Sequence, residues 1–325
     1  MLTPQKALNT KAVFGEKPEP ATVLGDIDLT SKLAIVTGGY SGIGFETARA
    51  LAERHADIII PVRTKEKAEK AIAALPDKLQ ARITLASMDL ADINSVRKFT
   101  QDMTDQNRPL DLLINNAGIM ACPETRIGPG WEAQFGVNHL GHFELTGGLL
   151  SLLRKADSAR IVCLSSIAHR RSDIQWDDIH FTNTPYEKWD AYGQAKTANA
   201  LFALSLDMQL QGEGIRAFSV HPGGIMTPLQ RHLENEEMVA LGWIDKNGDL
   251  SSFAKPYFKT PTQGAATSLW AATSPELADK GGVYCEDCDI AEPMSKTSAF
   301  CGVASHGASA QSAEKLWQLS LDMLA

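Results

Sequence analysis

The residues with the clearest chemical potential are Tyr192 and Lys196, which lie four positions apart in the run Tyr-Gly-Gln-Ala-Lys. In a helix this spacing places both side chains on one face, about one turn apart. An ammonium group beside a phenol favours the phenolate, so we expect the pKa of Tyr192 to lie below its usual value of about 10. Such a phenol can donate a proton to a carbonyl oxygen or take one from an alcohol.

Two serines, Ser165 and Ser166, end an apolar run earlier in the chain. At the carboxyl edge of a parallel strand, a serine hydroxyl faces the ligand crevice and can hydrogen-bond a substrate oxygen. Each motif alone has an ordinary explanation, because serine pairs also form simple turns and a Tyr-Lys pair also occurs by chance on helix surfaces. Together they predict acid-base chemistry.

A glycine-rich segment, Thr37–Gly44, follows the first apolar run and opens a helical pattern. Glycines at Gly38, Gly42 and Gly44 allow a tight turn and let backbone amides approach a pyrophosphate, and the positive end of the helix adds to this attraction. A plain turn between a strand and a helix is the alternative, because turns use glycine widely. The position of the segment favours a nucleotide site.

The end of the second apolar run distinguishes between nicotinamide cofactors. Binders of NAD usually place an acid there for the ribose 2′-hydroxyl, whereas an arginine accommodates the 2′-phosphate of NADP. Here Val62 is followed by Arg63, Thr64 and Lys65, with no acid. A solvated charge at a strand end is the alternative, but the missing acid and the arginine together predict NADP(H).

Short apolar runs alternate with helical patterns along most of the chain. The predicted strands are 33–37, 57–62, 83–87, 110–114, 159–164, 215–220 and 282–285. Predicted helices include 65–75, one that begins near Asp92, and a C-terminal one at 313–324. This alternation predicts an α/β fold: a single-domain, Rossmann-type, doubly wound parallel sheet with helices on both faces.

Three segments are predicted as additions to the alternating pattern. Residues 1–24 are polar and contain several prolines, so we expect an N-terminal arm on the body of a domain that spans 25–325. Residues 224–260 break the alternation, which predicts a substrate loop or lid. The C-terminal helix must bury Leu316, Trp317, Leu319 and Leu324, either in its own domain or against a neighbour.

These motifs occur in the order found in the short-chain dehydrogenase/reductase family. The resemblance covers roughly residues 25–290 and rests on Thr37–Gly44, Asp89-Leu90, Asn115-Asn116-Ala117-Gly118, Asn138, Ser166, Tyr192 with Lys196, and Pro222-Gly223. Within the family the chain is most similar to the retinol-dehydrogenase-like branch. That likeness lies in Tyr186–Asn199, His221–Gly224 and Tyr284–Cys288.

The resemblance implies a role for each matching residue. The catalytic residues would be Asn138, Ser166, Tyr192 and Lys196, with Asn138 bending its helix and holding a water in a proton relay with Lys196. Ser166, the second serine, matches the catalytic serine of the family. The cofactor-binding residues would be Gly38, Tyr40, Ser41, Gly42, Ile43, Gly44, Arg63, Thr64, Asp89, Leu90, Asn116, Ala117, Gly118, Tyr192, Lys196, Pro222, Gly223, Ile225 and Thr227.

One spacing departs from the common family pattern. Ser166 and Tyr192 lie 26 positions apart, and the extra stretch, residues 169–188, is polar and aromatic. The retinol-dehydrogenase-like branch carries a comparable insertion. We therefore expect this stretch to form a lobe beside the substrate cleft.

Composition excludes several other functions. The net charge of −8 over 325 residues does not attract polyanions, so no nucleic-acid partner is expected. The pair Cys285 and Cys288 lacks the further ligands that a metal site needs, and no metal is predicted. The chain shows no secretory signal and no run approaching the roughly 18 apolar residues of a membrane span. We expect a cytoplasmic protein.

The combined expectation is an NADP(H)-dependent oxidoreductase that acts on a small-molecule carbonyl or alcohol. Apolar residues in the 224–260 loop predict a lipophilic ketone or aldehyde, and the largely reduced state of NADP in cells favours carbonyl reduction. A double-bond reductase of the same fold is one alternative. A non-catalytic NADP-binding regulator is another, although such a protein would be expected to lose Tyr192 or Lys196. The resemblance also implies a homodimer or homotetramer.

Overall fold

The computed structural model describes residues 3–297 and 300–325. Its main sheet has eight strands, and the cores of seven of them are the predicted apolar runs. In chain order they are β1 (Leu33–Val36), β2 (Asp57–Val62), β3 (Ile83–Ser87), β4 (Leu112–Asn115), β7 (Ala159–Leu164), β8 (Ile215–His221), β11 (Val283–Glu286) and β12 (Asp289–Ile290). Two short ribbons pair β5 (Arg126–Ile127) with β6 (Trp131–Glu132), and β9 (Gly224–Ile225) with β10 (Phe258–Lys259).

The main sheet has the order β12-β11-β8-β7-β4-β1-β2-β3. All neighbouring strands are parallel except β11 and β12, which form an antiparallel edge. Every side chain of β1 and β4 is buried, and all of them except Asn115 are apolar, as expected for parallel strands covered on both faces. The predicted doubly wound sheet is confirmed, with one antiparallel strand that the sequence analysis did not foresee.

Helices cover both faces of the sheet. They are α1 (Lys11–Phe14), α2 (Pro20–Leu24), α3 (Gly42–Glu53), α4 (Lys65–Ile72), α5 (Asp77–Gln80), α6 (Ile93–Gln106), α7 (Ala133–Phe135), α8 (Gly141–Leu153), α9 (Lys188–Leu210), α10 (Asn235–Ala240), α11 (Pro261–Thr273) and α12 (Ala310–Leu324). One apolar core lies between the sheet and α6, α8, α9 and α12. The other lies between the sheet and α3, α4 and α11.

Several predicted boundaries differ from those of the structure. The helix predicted for 65–75 ends at Ile72, and a separate short helix begins at Asp77. Pro76 explains the break, because a proline disfavours helical geometry in the residue before it. The strand predicted for 110–114 is Leu112–Asn115.

The predicted N-terminal arm lies on the body of the domain. The Thr10 hydroxyl donates to the carbonyl of Cys288 at 2.7 Å, and the Leu8 amide donates to Asp289 at 2.6 Å. Further along, the Lys17 ammonium donates to the backbone carbonyls of Lys255 and Phe258. The arm therefore joins the antiparallel edge of the sheet to the far end of the 224–260 segment.

The C-terminal helix packs within its own chain. It runs from Ala310 to Leu324, slightly longer than predicted, and buries Leu316 and Leu324 in the core that it shares with α9. The ring of Trp317 stacks on Phe202 of α9, with centroids 6.1 Å apart. The C-terminal helix therefore buries these apolar side chains in its own domain rather than against a neighbour.

Candidate active site

The glycine-rich segment leaves β1 at the switch point of the sheet. The chain visits β2 and β3 on one side of β1 and then returns to β4 on the other. In such sheets ligands bind at the carboxyl edge beside this point. Gly38 (φ +67°) and Gly42 (φ +53°) adopt the left-handed conformations that favour glycine. Helix α3 begins at Gly42, so its free amides lie at the same edge.

Gly44 and Gly38 lie against backbone that leaves no space for a side chain. A methyl group on Gly44 would lie 2.4 Å from Asn116 Nδ2 and 2.5 Å from the oxygen of Gly38. A methyl group on Gly38 would lie 3.2 Å from the Cα of Ala117. The Asn116 amide donates to the carbonyl of Thr37 at 2.8 Å. The structure therefore packs the glycine-rich loop directly against Asn116 and Ala117.

Thr37 and His142 connect this loop to the segment that carries Asn138, and the sequence analysis missed both connections. Thr37 Oγ1 accepts from the amides of Asn116 and Ala117 at 2.8 and 2.9 Å. His142 Nε2 lies 2.9 Å from that hydroxyl, and its Nδ1 lies 2.9 Å from the carbonyl oxygen of Asn138. Burial lowers the pKa of His142 to about 4, so its ring is neutral.

The other predicted cofactor residues lie around the same edge. A methyl group on Gly42 would lie 3.3 Å from the Cβ of Thr227, while Ile43 and Ile225 both pack against Gly264. Arg63 is exposed beyond the end of β2. The remaining predicted residues follow the carboxyl ends of β1, β2, β3, β4 and β8: Tyr40, Ser41, Thr64, Asp89, Leu90, Gly118, Pro222 and Gly223.

Asn138 lies in a π-helical segment, Gly136–Leu140, between α7 and α8. Its Oδ1 accepts from the amide of Ile119 and its Nδ2 donates to the carbonyl of Ile119, both at 2.9 Å. A π turn widens the helix by one residue and occurs frequently at functional sites. The helix distortion expected at Asn138 is therefore present, and the side chain is bound to the loop after β4.

Tyr192 and Lys196 are both buried on α9, and the Lys196 Nζ lies 5.6 Å from the centre of the Tyr192 ring. The Ser166 side chain lies close enough to the Tyr192 phenol to influence its pKa. A methyl group on Gly118 would lie 3.0 Å from Asn138 Oδ1 and 3.8 Å from Lys196 Nζ. The four predicted catalytic side chains thus lie together, next to the loop that carries Gly118.

The protein's own groups do not lower the pKa of Tyr192. Burial raises this pKa above its ordinary value, and the nearby Ser166 side chain opposes the rise. Burial also lowers the pKa of Lys196 to about 8, and its ammonium donates to the carbonyl of Leu164 at 2.9 Å. The expectation that Lys196 by itself brings the pKa of Tyr192 down is wrong, because removal from water favours the neutral form of both groups.

An apolar cluster forms a wall beside Tyr192. Its other members come from the loop after β4, the turn after β7, the start of α9 and the 224–260 segment: Met120, Ala121, Ala168, Trp189, Leu229, Leu233, Met238 and Trp243. The Trp189 ring lies edge-on to Tyr192 at 6.3 Å and to Trp243 at 6.0 Å. The predicted substrate loop therefore reaches the candidate site. Met120 and Ala121 were not predicted, because neither residue type signals a cleft.

Glu237 holds the substrate loop on the catalytic helix. Its carboxylate accepts from the Lys188 ammonium at 2.6 Å and from the Trp189 indole nitrogen at 3.0 Å. Glu237 lies on α10, within the 224–260 segment, whereas Lys188 and Trp189 begin α9. The Glu237 side chain thus makes two hydrogen bonds between the substrate loop and α9, the helix that carries Tyr192.

We expect Glu237→Gln to loosen this loop. The substitution removes the ion pair with Lys188, and a partly exposed pair of this kind contributes up to about 1 kcal/mol, or roughly fivefold. Limited proteolysis should cut the 224–260 segment about fivefold faster in the variant. Glu236→Gln is the control, because Glu236 is the exposed neighbour on the same helix. Equal cleavage rates in the two variants would contradict this function of Glu237.

Residues 3–297 and 300–325 contain no group of three or more histidine, cysteine, aspartate or glutamate side chains that could hold a metal ion. Among the described helices, none is long and apolar enough to cross a membrane.

Comparison with known proteins gives a consistent family. A sequence profile described as short chain dehydrogenase matches residues 32–238. The short-chain dehydrogenase/reductase prx1 of Penicillium roqueforti is 37% identical, over 95% of this chain and 90% of its own. Retinol dehydrogenase 12 of Mus musculus is 36% identical, over 92% of this chain and 88% of its own. The solved RhlG/NADP complex of Pseudomonas aeruginosa has a TM-score of 0.60 and 26% identity, covering 80% of this chain and 95% of that chain.

Proposed function

This chain belongs to the short-chain dehydrogenase family, and from that premise we propose that it is an NADP(H)-dependent oxidoreductase that interconverts an alcohol and a carbonyl by hydride transfer. The observation that carries the proposal is the convergence of Asn138, Ser166, Tyr192 and Lys196 beside Gly118. A donor hydroxyl, a second hydroxyl and an ammonium in one buried place are the groups that acid-base catalysis at a carbonyl oxygen needs.

The residues at the switch point fit a dinucleotide. Gly38, Gly42 and Gly44 pack closely against Asn116, Ala117 and Thr227. The free backbone amides at the start of α3, which begins at Gly42, suit a pyrophosphate. Exposed Arg63, with no acid beside it, suits a 2′-phosphate. The solved NADP complex of the Pseudomonas aeruginosa neighbour supports the same choice. When bound, the nicotinamide ring supplies or accepts the hydride.

The chain's own residues would manage the proton and the orientation of the substrate. The Tyr192 hydroxyl donates its proton to the carbonyl oxygen in reduction and takes one back from the alcohol in oxidation. The Ser166 hydroxyl, whose side chain lies near the Tyr192 phenol, hydrogen-bonds the same oxygen. Lys196 stabilises negative charge on Tyr192 when it is protonated, and it holds the nicotinamide ribose. Asn138, bound to the Ile119 backbone, fixes the shape of the loop that faces Lys196.

We propose a lipophilic ketone or aldehyde as the substrate. The apolar wall beside Tyr192, with Met120, Leu233 and Trp243, supports this choice. The likeness to retinol dehydrogenase 12 supports the same class of substrate.

The proposal is tested by following NADPH oxidation with a panel of ketones and aldehydes of graded polarity. Turnover of apolar members supports it, and a preference for charged metabolites would contradict the substrate class. A second panel of activated alkenes distinguishes carbonyl reduction from double-bond reduction. Tight NADPH binding without turnover of either panel would instead indicate a regulator.

We expect Arg63→Ala to weaken the preference for NADPH over NADH. A charge-assisted hydrogen bond to the 2′-phosphate is worth about 1.5–3 kcal/mol, so the Kd for NADPH should rise about tenfold or more. The Kd for NADH should change little. Lys67→Ala is the control, because Lys67 is an exposed charge on the neighbouring helix α4. Equal losses for both cofactors would contradict a 2′-phosphate contact.

The cytoplasmic location and the homodimer or homotetramer stay predictions. Sedimentation of the purified protein across a concentration series would test the oligomeric state directly.

A further inference from the structure

We propose that His169 is a positioning residue for Ser166, held as the Nδ1–H tautomer by the backbone of Ala304. This inference rests on the proposed function, in which the Ser166 hydroxyl orients the substrate oxygen. It assigns a function to a histidine from the 169–188 insertion and to a C-terminal segment that lies 135 positions further along the chain.

His169 contacts Ser166 directly. A short 3₁₀ turn, Ile167–Arg170, begins straight after Ser166 and brings the imidazole back over the serine backbone. The Ser166 carbonyl oxygen lies 2.7 Å from His169 Nδ1 and accepts the His169 backbone amide at 3.0 Å. Two contacts from one residue therefore fix the orientation of the Ser166 peptide group.

The partner of the second ring nitrogen decides the tautomer. The backbone N–H of Ala304 points to His169 Nε2 at 3.0 Å. A backbone N–H can only donate, so Nε2 carries a lone pair and the ring proton of a neutral imidazole must be on Nδ1. That proton is then donated to the Ser166 carbonyl. Burial lowers the pKa of His169 to about 4, which keeps the ring neutral near pH 7.

Further contacts hold the histidine in this place. Its side chain is fully buried, and its ring packs on Tyr284 with centroids 4.6 Å apart. Its carbonyl oxygen accepts from the Thr197 hydroxyl at 3.0 Å and from His306 Nε2 at 2.8 Å. Thr197 is the residue after Lys196 on α9. His169 thus joins the serine loop, the catalytic helix and the C-terminal segment.

The consequence for catalysis follows from geometry. The Ser166 hydroxyl has to meet the substrate oxygen and the Tyr192 hydroxyl at the same time. A displacement of about 1 Å in a positioned group can lower the rate by about 100-fold. Loss of the Nδ1–H donor should therefore lower kcat, while cofactor binding, which uses other loops, stays unchanged.

Two substitutions distinguish the contribution of His169 Nδ1 from that of Nε2. The side-chain amide of His169→Asn can place its NH₂ group near the position of Nδ1 and keep the donor to Ser166. His169→Gln reaches the position of Nε2 instead and loses that donor. We expect kcat to fall about tenfold in the Gln variant and markedly less in the Asn variant, with equal Kd for NADPH. Equal kcat values for the two variants would overturn the inference, because a merely structural histidine makes no such distinction.

The protonation state can be measured without turnover. Nitrogen-15 NMR of imidazole-labelled wild-type protein should show His169 with a protonated Nδ1 and an unprotonated Nε2 at pH 7. A protonated Nε2 would overturn the inference whether or not a substrate is known. Absence of turnover by the wild type would count against the proposed function instead, so the two failures are distinguishable.

Discussion

Tyr192→Phe is expected to lower kcat for carbonyl reduction on the order of 10²–10⁴-fold, the usual contribution of a positioned general acid. The substitution removes only the hydroxyl, and the ring stays buried against Trp189 and the rest of the apolar wall. Because the contacts of the glycine-rich loop do not involve this hydroxyl, NADPH should still bind. The measurement is kcat with a substrate from the carbonyl panel, together with the Kd for NADPH from cofactor fluorescence.

Tyr186→Phe is the matched control for losing a tyrosine hydroxyl. The Tyr186 hydroxyl contacts Gln134, Cys122 and Glu132, so its removal should cost about 1–3 kcal/mol of folding stability. These partners lie outside the predicted catalytic set, and kcat should therefore stay within about twofold. A Tyr192→Phe variant with wild-type kcat would mean that another group supplies the proton.

Gly44→Ala is expected to raise the Kd for NADPH by about 100-fold. The added methyl group would lie 2.4 Å from Asn116 Nδ2 and 2.5 Å from the Gly38 oxygen, so the two halves of the nucleotide site must separate. Forcing extra volume into a packed region costs up to about 3 kcal/mol, which corresponds to a factor of this size. Titration with NADPH and thermal unfolding of the unliganded protein would measure both consequences.

Gly147→Ala provides the control within a helix of the same fold. Gly147 lies in α8, and a methyl group there would meet nothing within 4 Å. In an open helical position, alanine is favoured over glycine by about 1 kcal/mol, so this variant should be slightly more stable and bind NADPH normally. If Gly44→Ala behaved in the same way, the close approach of the two segments would not be needed for cofactor binding.

Most of the fold could be predicted because strands and motifs are local signals. Apolar runs such as 58–62 and 161–164 are uninterrupted and end at polar residues, so they mark strands that are covered on both faces. The short-chain dehydrogenase family and the doubly wound sheet are confirmed. The sites of Tyr192 and Lys196 followed from helical spacing, which depends on one helix only.

Other features depend on residues that are distant in the sequence. The antiparallel pairing of Cys285 with Ile290 comes from a tight turn at Asp287 and Cys288, both of which have positive φ. The residue types of that segment do not predict this turn. The contact between His142 and Thr37 spans 105 positions, and no local pattern encodes it. Buried polar side chains such as His142 and Thr37 follow no periodic pattern in the sequence, so they cannot be distinguished there from ordinary core residues.

The amino-acid sequence by itself determined seven of the eight strand segments of the main sheet, the glycine-rich loop after the first of them, and the residue types of the candidate catalytic group. It did so because hydrophobic periodicity and turn residues act over a few positions. Only the tertiary structure decided the protonation tendencies of Tyr192 and Lys196, the attachment of the substrate loop through Glu237, and the partners of His169. Burial and hydrogen bonding between distant segments fix these properties, and both exist only after the chain has folded.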